Sequence, residues 1–107
     1  MSSAEVAVIG LGAIGSMTLW RLAERGVNVH GYERFGVAHD RGASAGQTRR
    51  FSVQSQREPR FTPLAVEALD LWWQLADLSD RELFRQTGGV IIGPAATSSI
   101  EIGRAHV

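Results

Sequence analysis

The chain contains no cysteine. That excludes a disulfide framework, a cysteine zinc site and a thiol nucleophile. It also lacks an excess of charge of either sign: 11 basic residues, all arginine, stand against 11 aspartates and glutamates. A net charge of zero removes any general electrostatic case for nucleic acid or an acidic membrane surface. No apolar run approaches the roughly 20 residues that a membrane span needs. The apolar stretch at Val6 follows Glu5 and has no basic region before it, unlike a secretory signal. These absences predict a cytoplasmic protein. There is no internal repeat and no low-complexity tract. His30 and His39 have no metal-ligand spacing to another histidine or acid, so structural or surface roles are expected for both. No serine is fixed beside a histidine and an acid, so no hydrolytic triad can be argued.

What is present begins at Val6-Ala-Val-Ile9, a short β-branched and apolar run read as a buried strand. Gly10-Leu11-Gly12-Ala13-Ile14-Gly15 follows at the G-x-G-x-x-G spacing of a dinucleotide-binding turn. Gly10 permits the tight exit from the strand, Gly12 lets a pyrophosphate approach the backbone, and Gly15 lets helix and strand pack closely. The helix N-terminus then offers N–H groups and a positive dipole end to phosphate. Ser16 to Arg25 carries Met17, Leu19, Trp20, Leu22 and Ala23 at helical spacing, and Gly26 stands where a helix-terminating glycine belongs. Val27 to Tyr32 reads as a second strand. Glu33 closes it, roughly 20 residues after the glycines, where a carboxylate binds adenosine ribose hydroxyls. The alternative, a glycine turn serving packing alone, does not account for the placed acid.

Residues 34–51 are rich in glycine, serine and arginine, a composition suited to a loop that meets a ligand. An irregular stretch follows to Phe61. Thr62 is expected as N-cap and Pro63 as first residue of a helix reaching about Leu78. Leu64, Ala68, Leu71, Trp72, Leu75 and Leu78 are read as its apolar face, with Trp72 as core and Trp73 as rim. Ser79-Asp80-Arg81-Glu82 matches a capping box for a short helical turn. Phe84 to Pro94 is expected as strand, Gly88-Gly89 turn and strand. The arginines at 41, 49, 50, 57 and 60 read as a solvated loop rather than a polyanion patch. Ile102-Gly-Arg-Ala-His-Val107 follows no pattern set by the preceding residues, and the codons ATC GGA AGA GCA CAC GTC, the start of a widely used sequencing adapter, encode it. Residues 101–107 are therefore expected to be non-native, with no function for His106, and residues 1–100 to be the amino-terminal part of a larger nucleotide-binding domain.

The blocks occur in the order found in FAD-dependent amine oxidoreductases of the monomeric sarcosine oxidase and N-methyltryptophan oxidase type, within the D-amino-acid oxidase superfamily. Beyond the glycine turn and Glu33, Gly42-Ala-Ser-Ala-Gly-Gln-Thr-Arg49 is similar to that family's Gly-Ser-His-His-Gly-Asp-Thr-Arg segment. The Trp72 helix followed by Thr87-Gly-Gly-Val-Ile-Ile-Gly-Pro94 is similar to its Thr-Gly-Val-Leu hairpin. The resemblance implies an incomplete α/β Rossmann-like FAD-binding fold. It implies that Gly10, Leu11, Gly12, Ala13, Ile14 and Gly15 cradle the FAD pyrophosphate and that Glu33 and Arg34 meet the adenosine end. Ser44 and Thr48 would lie close to the flavin, and Arg49 beside its ring as the catalytic cation, stabilising developing negative charge. Ala45 stands where the family has histidine, Gln47 where it has aspartate, and Ser52 where sarcosine oxidases have a carboxylate-binding arginine. Arg50 is the candidate to take over that role, against which stands the alternation of adjacent residues in an extended segment, where Arg49 and Arg50 point to opposite sides.

The expected function is oxidation of the C–N bond of a secondary amine or amino acid, with O2 as acceptor. One alternative is an NAD(P)-dependent β-hydroxyacid-type dehydrogenase, in which Arg34 would meet a 2′-phosphate. The other is that the fragment, lacking the rest of its sheet and substrate site, is inactive and does not fold.

Overall fold

The computed structural model describes residues 3–53 and 58–90. The chain divides into two units, 1–49 and 50–107. Unit one holds strand β1 (Val6–Ile9), helix α1 (Ala13–Glu24) and strand β2 (Val29–Tyr32). Unit two holds a 3-10 turn (Pro59–Phe61) and helix α2 (Thr62–Ser79).

The two strands pair in parallel, with Val6 opposite Val29, Val8 opposite Gly31 and Ile9 opposite Tyr32. Parallel neighbours need a crossover, and α1 supplies it. Ladder bonds extend past both strand ends: Glu5 N–H donates to Asn28 O at 2.8 Å and Gly10 N–H to Tyr32 O at 2.8 Å. β1 is less enclosed than expected. Val6 and Val8 are half-buried, but Ala7 and Ile9 face solvent, Ile9 at 80%. A parallel strand is ordinarily covered on both faces, and within this unit α1 is the element packed against the two strands.

α1 starts three residues earlier than the Ser16 expectation, so Gly15 belongs to its first turn. Its end is a Schellman motif: Val27 N–H donates to Leu22 O at 3.1 Å and Gly26 N–H to Ala23 O at 2.9 Å, with Gly26 at φ +77°. This also explains why β2 begins at Val29 and not at Val27, since the Val27 amide is committed to the helix end.

In α2 the half-buried and buried positions are Thr62, Ala65, Ala68, Leu69, Leu71, Trp72, Leu75, Ala76 and Ser79. They recur at three- and four-residue steps, as one helix face requires. Leu69 is the buried core residue, 5% exposed. The expected face is thus correct in its middle but rotated at its ends, where Leu64 and Leu78 are exposed. Trp72 is half-buried and Trp73 exposed, and both meet Phe84, with ring centroids 6.3 and 4.2 Å away.

Three local expectations are corrected. Phe61, not Thr62, occupies the N-cap, because the 3-10 turn closed by Phe61 N–H to Glu58 O runs straight into the helix; Pro63 still lies in the first turn, where its missing N–H costs nothing. Ser79 caps nothing: it is the last residue of α2, its hydroxyl donates to Ala76 O, and Asp80 turns left-handed at φ 51°. Glu82 pairs with Arg85 at 2.7 Å instead of closing a capping box. Residues 84–90 form no ladder among the described residues. The remainder of the expected hairpin at 91–94, Arg57, and the tail 101–107 lie outside the described residues. Among the described residues no helix is long and apolar enough to cross a membrane.

Candidate functional site

The site is built at the carboxyl end of β1. Gly10 adopts φ +89°, a conformation that a side chain would strain. A Cβ at Gly15 would overlap the Gly10 carbonyl oxygen, so the turn and the first helical turn touch backbone to backbone. Gly12 differs from both. Its φ is −72° and an added Cβ would meet nothing within 4 Å among the described residues. The protein itself makes no demand for glycine there, and the open space is what a closely approaching pyrophosphate needs. No acidic side chain lies in the first turn of α1. Ala13 and Ile14 are exposed, Ile14 at 85%, so this end of the helix is accessible.

Glu33 ties the end of β2 to this turn. Its Oε2 accepts the Leu11 N–H at 2.8 Å. Its Oε1 accepts the Arg34 N–H at 2.7 Å and the Phe35 N–H at 3.3 Å. The Leu11 and Phe35 amides, helped by the Arg34 amide, hold its carboxyl below the ordinary carboxylate range. Glu33 is therefore an ionised acceptor whose orientation is set by backbone. Leu11 contributes structure as well as position: its N–H is committed to Glu33, and its side chain lies over Gly31, where a Cβ would come within 2.8 Å of both Leu11 and Leu19.

His39 stands beside Glu33, with Nε2 3.2 Å from Oε1. Its Nδ1 accepts the Arg41 N–H at 3.0 Å. Sequence reasoning assigned His39 only a structural or surface role, because no periodicity or spacing relates it to Glu33. The Phe35 ring packs edge-on against His39 at 5.3 Å, and the Arg34 and Arg41 guanidinium groups lie 5.1 and 4.5 Å from the Phe35 ring centre.

Farther along the same unit, Arg49 gathers the other expected residues. Its Nε donates to Ser44 O at 3.0 Å and its Nη1 to Thr48 O at 2.6 Å. The guanidinium lies over Gly46, at φ +147°, in space that a Cβ would occupy. Ser44, Thr48 and Arg49 thus form one local cluster, while Gly10 to Gly15, Glu33 and Arg34 form another. Among the described residues no three His, Asp or Glu side chains gather as a metal site.

Comparison with known proteins agrees with this geometry. The chain is 36% identical over 89 residues to a monomeric sarcosine oxidase of Streptomyces avermitilis, covering 83% of this chain and 23% of that protein. It is 30% identical over 100 residues to human peroxisomal sarcosine oxidase, covering 94% and 25%. It is 30% identical over 90 residues to an N-methyl-L-tryptophan oxidase of Yersinia pestis, covering 84% and 24%. The chain spans about a quarter of the length of the curated relatives it matches. No solved structure matches it. A glycine turn open at Gly12, a carboxylate fixed against that turn, and a family model matching residues 5–105 lead to one assignment: the chain belongs to the FAD dependent oxidoreductase family.

Proposed function

We propose that this chain is the nucleotide-binding part of an enzyme that oxidises the C–N bond of a secondary amine or amino acid, of the sarcosine or N-methyl amino acid type. Two electrons and two hydrogens leave the substrate, giving an imine, and O2 takes them up as hydrogen peroxide. FAD supplies the redox chemistry. This chain's residues bind and orient it: Gly10 to Gly15 at the pyrophosphate, Glu33 and Arg34 at the adenosine end, Ser44, Thr48 and Arg49 toward the flavin. A fixed guanidinium there favours negative charge developing on the ring or on oxygen. The names of the relatives support the substrate class, and the departures at Ala45, Gln47 and Ser52 argue against strict preference for sarcosine.

The observation that carries the cofactor reading is the Glu33 carboxylate held against the Gly10–Gly15 turn by the Leu11 amide, with open space before Gly12. Titration of the chain with FAD, followed by quenching of flavin fluorescence, tests it. Saturable binding that NADPH does not displace is expected. Retention of NADPH with no affinity for FAD would favour the dehydrogenase alternative and overturn the proposal.

A further inference from the structure

Glu33 has more donors than a ribose-binding carboxylate needs, and they are unevenly shared. Oε1 receives the Arg34 and Phe35 amides and faces His39 Nε2, whereas Oε2 receives the Leu11 amide alone. A carboxylate oxygen has two lone-pair directions, so Oε2 keeps room for one further donor and Oε1 does not. Within residues 33–41 only Glu33 and His39 are half-buried; their side chains are 10% and 18% accessible. The chain reverses toward Glu33 through Ala38 at φ 62°, a left-handed conformation carried without glycine. The Arg41 amide occupies His39 Nδ1 as donor, so that nitrogen bears no proton. The imidazole proton is therefore on Nε2, the nitrogen that lies 3.2 Å from Oε1.

We propose that His39 is a positioning residue for nucleotide recognition: a neutral imidazole anchored by the Arg41 backbone engages Glu33 Oε1, leaving Oε2 as the oxygen that receives a ribose hydroxyl of an adenine nucleotide. The proposal rests on the dinucleotide-site reading above. It assigns His39 no contact with the nucleotide. Its effect is to reinforce the three backbone amides that already hold the carboxylate, so that Oε2 keeps one direction.

The test compares ADP with 2′,3′-dideoxy-ADP, binding each to the 107-residue chain by calorimetry. His39→Leu is expected to weaken ADP about tenfold, the low end for losing a polar contact with a charged group, and to leave the dideoxy probe unchanged. His39→Gln, whose amide nitrogen reaches the Nε2 position, restores most ADP affinity. His39→Asn keeps an acceptor for the Arg41 amide but is too short to reach Oε1; it reproduces the selective loss even if the leucine variant does not fold. Equal loss for both probes, or no loss for ADP, overturns the role of His39 and leaves the nucleotide site standing. Failure of the unaltered chain to bind ADP overturns both.

Discussion

The three glycines of the turn look alike in sequence but serve different ends. Gly15 is required by the fold, since its Cβ would overlap Gly10 O; Gly12 is free of both steric and torsional demands. Gly15→Ala is expected to destabilise unit one by about 2 kcal/mol or more, because backbone must move. Gly12→Ala is expected to leave stability within about 0.5 kcal/mol and yet abolish measurable FAD binding. Urea unfolding and FAD titration of the two variants separate these outcomes. Glu33 adds a pH signature. Its folded carboxyl ionises below the ordinary value of 4.5, so the unfolded chain takes up the proton first as pH falls. The stabilisation is fully present above the unfolded value and is lost as pH drops through the folded one. The difference in thermal midpoint between the native chain and Glu33→Gln is expected to be constant near neutrality and to shrink below about pH 4.5. A difference that grows on acidification would refute this linkage.

At the scale of elements, α1 and α2 end differently. α1 stops with Gly26 in a Schellman turn, whereas α2 stops at Asp80, which accepts a left-handed conformation with a side chain present. α2 opens on Pro63 and the 3-10 turn, so its start is legible, but its buried face is displaced toward Leu69. The reason is phase. The stripe through Ala65, Ala68, Leu69, Trp72 and Ala76 turns Leu64 and Leu78 outward, while Leu71 and Leu75 stay half-buried at its edge. Leu69→Ala is expected to cost about 2 kcal/mol, toward the low end for a buried leucine because its neighbours are only half-buried. Leu64→Ala and Leu78→Ala are expected to cost less than about 0.5 kcal/mol. Denaturant midpoints followed by the helical circular dichroism signal check the ranking.

At the scale of the molecule, little of the apolar surface is enclosed. Ile9, Ile14, Val37, Leu64, Leu78 and Val90 are all mostly exposed, and Leu69 is the single buried hydrophobic among the described residues. Isolated exposed apolar residues are ordinary on soluble proteins, but a parallel two-stranded sheet with solvent at alternate β1 residues is unusual. The relatives, about four times as long, have ample chain to cover such surfaces. The separation into two units places the Gly10–Gly15 and Glu33 cluster, the His39 contact and the Ser44–Arg49 cluster all within residues 1–49. The cofactor-binding reading thus concerns one contiguous piece of sequence.

The sequence by itself determined the local events: the strand before Gly10, the turn, the helix ended by Gly26, the second strand reaching Glu33, and a helix opened by Pro63. Each depends on backbone conformations and caps chosen by residues only a few positions apart, so pattern and spacing suffice. The tertiary structure alone decided which oxygen of Glu33 meets Leu11, 22 residues earlier, and that His39 turns back onto the other. It also decided that Arg49 closes over Gly46, and which stripe of α2 is buried. Those outcomes depend on how a loop returns in space and on which helix phase packs best, and neither the spacing nor the residue types at these positions contain that information.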